Sequence, residues 1–154
     1  MAKSGCDFRE LKEFQKKLQK LEKTDFDAFC EATAKELAAR LLAKVKKRTP
    51  TGKHALEEGK MGGTLKRNWT VGTVEKQGDV YQVEIINPIY YASYVEFGHR
   101  QEPGRFVPAI GKRLVSGWAK GKFMLTISEQ ELERDAPKIL EKKLTQFLKD
   151  SLDN

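Results

Sequence analysis

The side chains that could perform chemistry are few and scattered along this chain. There are two histidines, His54 and His99, and two cysteines, Cys6 and Cys30. None of the four has a His, Cys or carboxylate partner at the spacing of a metal-ligand set on one predicted element. Cys30 falls on an apolar helical stripe, so we interpret it as a small buried side chain rather than a nucleophile.

Two further patterns only partly match catalytic motifs. Residues 51–54 (TGKH) resemble a phosphate-binding loop but lack its upstream glycine, the hydroxyl residue after the lysine and the preceding strand. Glu57 and Glu58 are adjacent in a loop, so their carboxylates point apart and cannot hold a reacting atom between them. The sequence therefore predicts no enzyme, no metal and no cofactor.

Glu96 is the most conspicuous carboxylate, because it lies in an aromatic run that is followed by Gly98, His99 and Arg100. A catalytic role would need a second acid or base, and His99 is the nearest titratable neighbour. We instead predict a structural role for Glu96, paired with an arginine such as Arg67 or Arg100 that fixes a turn.

The overall charge permits contact with nucleic acid or with an acidic partner. The 154 residues carry a net charge of +7, and the pI is near 9.4. Both signs are interspersed, however, and an ordinary solvated surface has the same composition. The basic side chains that could contact nucleic acid are Lys66, Arg67, Arg100, Arg105, Lys112 and Arg113.

The cellular compartment follows from what the sequence lacks. No stretch approaches the ~20 apolar residues of a membrane helix, and no apolar run follows the N-terminal lysine as in a signal peptide. Cysteine usage gives no disulfide framework. We therefore expect no membrane partner and synthesis in a reducing cytoplasm.

Helical periodicity dominates the first third of the chain. An apolar stripe that ends near Thr24 predicts a peripheral N-terminal helix within residues 1–25. A second stripe ends at Pro50 and predicts a longer helix. Its members are Phe26, Phe29, Cys30, Thr33, Leu37, Leu41 and Val45.

The middle of the chain alternates as β-strands do. Trp69, Val71, Thr73 and Glu75 share one face of a first predicted strand, and residues 80–86 form a second. The Gln77-Gly78-Asp79 turn between them predicts an antiparallel hairpin. Residues 53–63 are predicted to be a loop, and residues 90–98 fit a short helix or a strand equally well.

A glycine-rich and basic segment at about residues 99–122 is too long for an ordinary connection. Its embedded apolar side chains predict an extended arm that another chain covers. These candidate interface residues are Phe106, Val107, Ile110, Leu114, Val115 and Trp118.

A strand and a helix are expected after the arm. Residues 123–127 predict a third strand, and Ser128 with Glu131 matches a capping box for the last helix. Pro137 predicts either a kink or a restart capped by Asp135. The expected fold is α+β in a single domain, residues 1–154, with N-terminal helices and a C-terminal helix packed on a small antiparallel sheet.

Three ordered motifs give the chain a family resemblance. RTPTG at residues 48–52 precedes LKRNW at 65–69, and YASYVEFG at 91–98 follows the hairpin. In this order they resemble the HK97-gp10-like family of tailed-bacteriophage neck and tail-component proteins, from about Phe26 to the C-terminus. The residues that match the family motifs, all interpreted as structural, are Thr49, Pro50, Thr51, Gly52, Leu65, Arg67, Trp69, Tyr91, Ala92, Val95, Glu96, Phe97 and Gly98. The resemblance departs at residues 53–63, an insertion where the family is usually continuous.

The resemblance implies a structural virion protein and not an enzyme. It implies a homo-oligomeric ring, usually a hexamer, at the phage neck, where it joins head to tail or completes and terminates the tail. It also implies neighbouring connector and tail proteins as partners, with transient, sequence-independent contact with genomic DNA. The alternative from charge alone is a stand-alone basic nucleic-acid-binding module.

Overall fold

The computed structural model describes residues 9–20, 24–52 and 62–153. Its helices are α1 (Arg9–Lys20), α2 (Thr24–Arg48), α3 (Thr64–Arg67), α4 (Ala92–Phe97) and α5 (Met124–Asp153). Its strands are β1 (Thr70–Gln77), β2 (Val80–Ile86), β3 (Gly98–Arg100), β4 (Phe106–Val107), β5 (Lys112–Arg113) and β6 (Trp118–Lys120). The predicted α+β class is confirmed, and the described strands form three separate antiparallel pairs, β1–β2, β3–β6 and β4–β5.

Helix α2 is the central element, because it packs against α5 and also against the β1–β2 hairpin. The predicted apolar stripe lies on its inward face, where Thr33, Ala38 and Val45 are buried. The helix ends at Arg48, as expected for a chain that must leave helical geometry before Pro50. Phe26 is half-exposed, and its ring stacks on Phe29.

The β1–β2 hairpin is confirmed, with one irregularity. Gly78 takes a φ of 61° at the first position of the two-residue turn, which glycine adopts without a steric penalty. Val71 pairs with Ile85 and Val74 pairs with Val83, so residues 72 and 73 oppose a single residue, as in a β-bulge. The bulge breaks the predicted alternation, and Val74 instead of Thr73 is half-buried.

The prediction of a third strand at residues 123–127 is wrong. Met124 already begins α5, and Phe123 before it has a φ of 49°. The capping box at Ser128 is also wrong, because Ser128 is fully buried inside the helix and its hydroxyl donates to the carbonyl of Met124 at 2.6 Å. The helix continues through Pro137 and does not restart at Asp135.

The hydrophobic core lies where the C-terminal end of α2 meets α3, the base of the hairpin, α4 and the first turn of α5. Its buried members are Val45, Leu65, Trp69 and Met124. Tyr91 and Val95 pack against them as partly buried side chains. The motif residue Phe97, which the sequence predicts to be structural, is 61% exposed, because the last turn of α4 presents it to solvent.

Ion pairs hold α2 and α5 together beyond the core. Glu131 of α5 accepts hydrogen bonds from Arg48 and Lys44 of α2. Nearer the C-terminus of α5, Lys143 pairs with Glu36 of α2. The bonds from Arg48 and Lys44 hold the pKa of Glu131 below its ordinary value, and the bond from Lys143 does the same for Glu36. Both carboxylates therefore favour the folded state only while they are ionised.

We predict that this helix pair loosens in acid. A carboxylate whose pKa is lowered by folding contributes stability above its unfolded value, 4.5 for Glu131, and this contribution is lost as the pH falls through the folded value. Glu131→Gln should therefore lower the melting temperature at pH 7 and flatten its decline between about pH 5 and about pH 3. Thermal melts followed by circular dichroism test this, with the exposed Glu133→Gln as control; equal slopes in all three proteins would contradict it.

Candidate functional site

Thr49 joins the end of α2 to the start of the hairpin. Its hydroxyl donates to the carbonyl of Val45 at 2.7 Å and accepts the indole N–H of Trp69 at 2.9 Å. Both Thr49 and Trp69 are buried, so an unpaired indole N–H would be costly here. The hydrogen bond between Thr49 and Trp69 thus joins the RTPTG and LKRNW segments and orients Trp69 in the core.

Asn87 makes a second junction that the sequence analysis did not single out. Its side-chain amide donates to the carbonyl of Leu65 at 2.8 Å, and its carbonyl oxygen accepts the N–H of Ile89 at 3.1 Å. The signal available in the sequence was an Asn directly before Pro88, where local side-chain bonds often shape a turn. This residue fixes α3 against the end of β2.

Glu96 caps the N-terminus of α5. Its carboxylate accepts the N–H groups of Leu125 at 3.0 Å and Thr126 at 2.9 Å, and the hydroxyl of Thr126 at 2.8 Å. Helices begin with N–H groups that have no internal partner and carry a partial positive charge, so a buried carboxylate is well placed there. The predicted arginine partner for Glu96 is wrong, because these carboxylate bonds go to α5.

Backbone bonds reinforce the cap at the same place. The N–H of Phe123 donates to the carbonyl of Glu96 at 3.0 Å, and the N–H of Lys122 donates to that of Val95 at 2.8 Å. Helix α4 therefore fixes both the start of α5 and the chain that leads into it. Thr126 was missed by the sequence analysis, because those residues were taken for a strand.

Two glycines allow the chain to cross itself beside this cap. A Cβ at Gly98 would lie 2.4 Å from the carbonyl oxygen of Ala119, and a Cβ at Gly121 would lie 2.4 Å from that of Glu96. Gly98 also has a φ of 86°. Only glycine allows the two strands to approach this closely. Gly98 and Gly121 mark the base of the segment that we call the arm, residues 98–122.

The arm is a long irregular hairpin. At its base β3 pairs with β6, and nearer its tip β4 pairs with β5. Between the two pairs, Gln101 bonds to Gly117 and Gly104 bonds to Leu114 through the backbone. A short 3₁₀ turn at residues 108–110 closes the tip. The arm strands contact chiefly each other, and β3 also contacts α4.

The candidate interface residues lie on this arm and are only partly covered. The exposed fractions are 52% for Phe106, 60% for Ile110, 94% for Val115 and 55% for Trp118. Val107 and Leu114 are half-buried. Tyr94 and Phe97 of α4, beside the base of the arm, are also more than half exposed.

The candidate DNA contacts are divided between two elements. Lys66 and Arg67 lie exposed on α3, where Arg67 donates to the carbonyl of Gly62 at 2.9 Å. The remaining four, Arg100, Arg105, Lys112 and Arg113, lie exposed on the arm. An open concavity of about 840 Å³ brings Arg100 and Arg105 beside Val107, Ile110 and Leu114. Two of the basic candidates of the arm therefore lie beside three of its apolar candidates, and Glu102 lines the same concavity.

The other residues with chemical potential are not brought together. Cys6, His54, Glu57 and Glu58 lie outside the described residues. Cys30 is half-buried, and desolvation raises the pKa of its thiol. His99 makes an edge contact with the ring of Tyr94, while the hydrogen bonds described for the Glu96 carboxylate go to Leu125 and Thr126.

The ends of the predicted insertion meet. A Cβ at Gly62 would lie 2.1 Å from the carbonyl oxygen of Gly52, so the two backbones touch. Residues 53–61 themselves lie outside the described residues. Thr51, Gly52, Gly63 and Thr64 still lie side by side around one small cavity.

The motif residues hold polypeptide elements together, and α4 and α5 hold the base of an arm whose apolar side chains are largely exposed. Among the helices of the described residues, none could span a bilayer.

Comparison with known families shows which family the chain belongs to. Residues 12–98 match the family described as "Bacteriophage HK97-gp10, putative tail-component". The chain therefore belongs to the HK97-gp10-like family of bacteriophage tail components. The matched region ends at Gly98, where the arm begins. No curated protein and no solved structure matches the chain.

We predict that the Glu96 cap is required for stability. Glu96→Ala removes three hydrogen bonds from the start of α5 and should lower the free energy of unfolding by about 2 kcal/mol. Urea unfolding monitored by circular dichroism measures this change. Glu133→Ala, at an exposed position of the same helix, should change it by less than about 0.5 kcal/mol. Equal losses in the two variants would contradict the capping role.

Proposed function

We propose that this protein is a structural virion protein that forms a ring at the neck of a tailed phage or of a tail-like particle. In this ring it joins the head to the tail, or completes and terminates the tail. The observation that carries the proposal is the arm, which leaves Val115, Ile110, Trp118 and Phe106 largely open to solvent. Apolar patches of this kind on a folded subunit favour a protein partner.

The contacts at the base of the arm favour a permanent protein interface over a flexible chain segment. The Glu96 cap and the crossing of Gly98 with Gly121 hold its base against α4 and α5. A supported arm loses little conformational entropy on docking, which increases affinity. A subunit that extends such an arm to the next copy builds a head-to-tail contact, and a contact of this type closes into a ring when the rotation allows.

The family supports the place and the partners proposed. A bacteriophage tail component acts in the virion. We propose that the protein is made in the host cytoplasm. We propose a hexamer that lies against connector and tail proteins. The exposed basic side chains Lys66, Arg67, Arg100 and Arg113 then make transient, sequence-independent contact with DNA as it passes, since phosphate contacts depend on charge alone.

Complementation tests the assembly function. Extracts of cells infected with phage that lack this protein should contain separate heads and tails, and the purified protein should restore joined, infectious particles. Val115→Asp places a charge on the open arm and should reduce recovery at least about tenfold, because a buried unpaired charge opposes docking. Val80→Asp, at the exposed turn of the β1–β2 hairpin, is the matched control. Full recovery with Val115→Asp, or no recovery with the unaltered protein, would contradict the proposal.

A stand-alone nucleic-acid-binding module is the second candidate. The observations that favour it are the four exposed basic residues of the arm and a separate cavity lined by Lys44, Lys47, Arg48 and Lys122. Glu131 also lines that cavity and bonds to Lys44 and Arg48, which reduces its positive charge.

We expect the isolated protein to bind duplex DNA weakly, because a ring through which DNA slides cannot hold it tightly. Titration of a labelled duplex at about 50 mM salt, where phosphate contacts are strongest, measures this affinity. Binding at low micromolar concentration or better, with a steep loss as salt is raised, would favour the second candidate over the ring.

A further inference from the structure

One side of α5 carries a row of acidic and apolar side chains. Glu129, Glu133, Leu140 and Leu144 follow at steps of four, seven and four residues, which places them along one side of a helix. Glu129 and Glu133 are exposed, and each leucine is 40% exposed. We call these four residues the acidic row.

Within the described residues, no ion pair includes Glu129 or Glu133. The ion pairs of α5 there involve Glu131, Asp135, Arg134 and Lys143. An exposed surface that combines carboxylates with half-exposed leucines is best matched by one that combines basic and apolar groups.

The arm of the same chain has that composition. Residues 98–122 contain six Lys or Arg and a single acidic residue, Glu102. Arg105 and Lys112 are exposed near the tip, close in sequence to Phe106 and Ile110, which are more than half exposed. The arm strands pair with each other and contact α4, so the described contacts leave this tip available.

We propose that the arm of one copy docks on the acidic row of the next copy. The two surfaces lie on one chain and are complementary in charge and in apolar character, as a head-to-tail interface requires. Arg105 and Lys112 meet Glu129 and Glu133, while Phe106 and Ile110 cover Leu140 and Leu144. This proposal rests on the proposed ring and names the surfaces that form it.

Charge reversal with rescue tests this contact. The arm variant is Arg105→Glu with Lys112→Glu, and the helix variant is Glu129→Lys with Glu133→Lys. Either variant alone should weaken self-association at least about tenfold, because like charges then face each other. The protein that carries both changes should regain an association constant within about threefold of the unaltered one. Sedimentation velocity over a range of concentrations measures these constants.

A matched control separates the specific contact from total charge. Lys138→Glu with Lys142→Glu alters the net charge as the arm variant does, but at exposed positions of α5 outside the acidic row. This control should associate like the unaltered protein. Because all altered side chains are exposed, the melting temperatures of the variants should remain close to the original, and thermal melts verify this.

The outcomes distinguish this inference from the proposed function. If the unaltered protein forms rings and neither reversal weakens them, or if the combined variant is weaker than each single one, the inference is overturned and the ring remains. An arm that acts only on DNA or on another tail protein gives this same result. A protein that stays monomeric up to about 1 mM and does not complement assembly overturns both.

Discussion

The bond between Glu96 and the first turn of α5 is the constraint on which the rest of the structure depends. The start of a long helix presents unsatisfied N–H groups, and here they are satisfied by a buried carboxylate from α4. The same helix α4 leads directly into the arm at Gly98. One interaction therefore aligns α5, which packs on α2, and fixes the point from which the arm departs.

Hydrogen bonds between distant segments also fix the core. Thr49 and Trp69 bond to each other within the core, and Asn87 ties α3 to the end of β2. Each contact joins segments that are distant in the chain. Each also supplies hydrogen-bond partners to polar groups in a small core. The arm needs this support because its own strands are two and three residues long and could not be stable alone.

The exposed apolar surface gives the fold its functional meaning. The chain buries Val45, Leu65, Trp69 and Met124 almost completely, yet it leaves Val115 and Trp118 more than half exposed. That these side chains lie open on a supported hairpin favours a contact with another protein chain. Membership of a tail-component family makes other virion proteins the natural partners.

The sequence by itself determined the local elements and the family. The apolar period of α2 and the turn at Gly78 were predicted correctly, because helical and strand periodicity depend on neighbouring residues. Tertiary structure decided which residues contact one another. Residues 123–127 alternate well enough for a strand, but a carboxylate 29 residues earlier in the chain caps them into a helix. Glu96 likewise contacts backbone N–H groups and not an arginine, and Phe97 faces solvent. No local pattern encodes these outcomes, because they depend on which distant segments the folded core brings together.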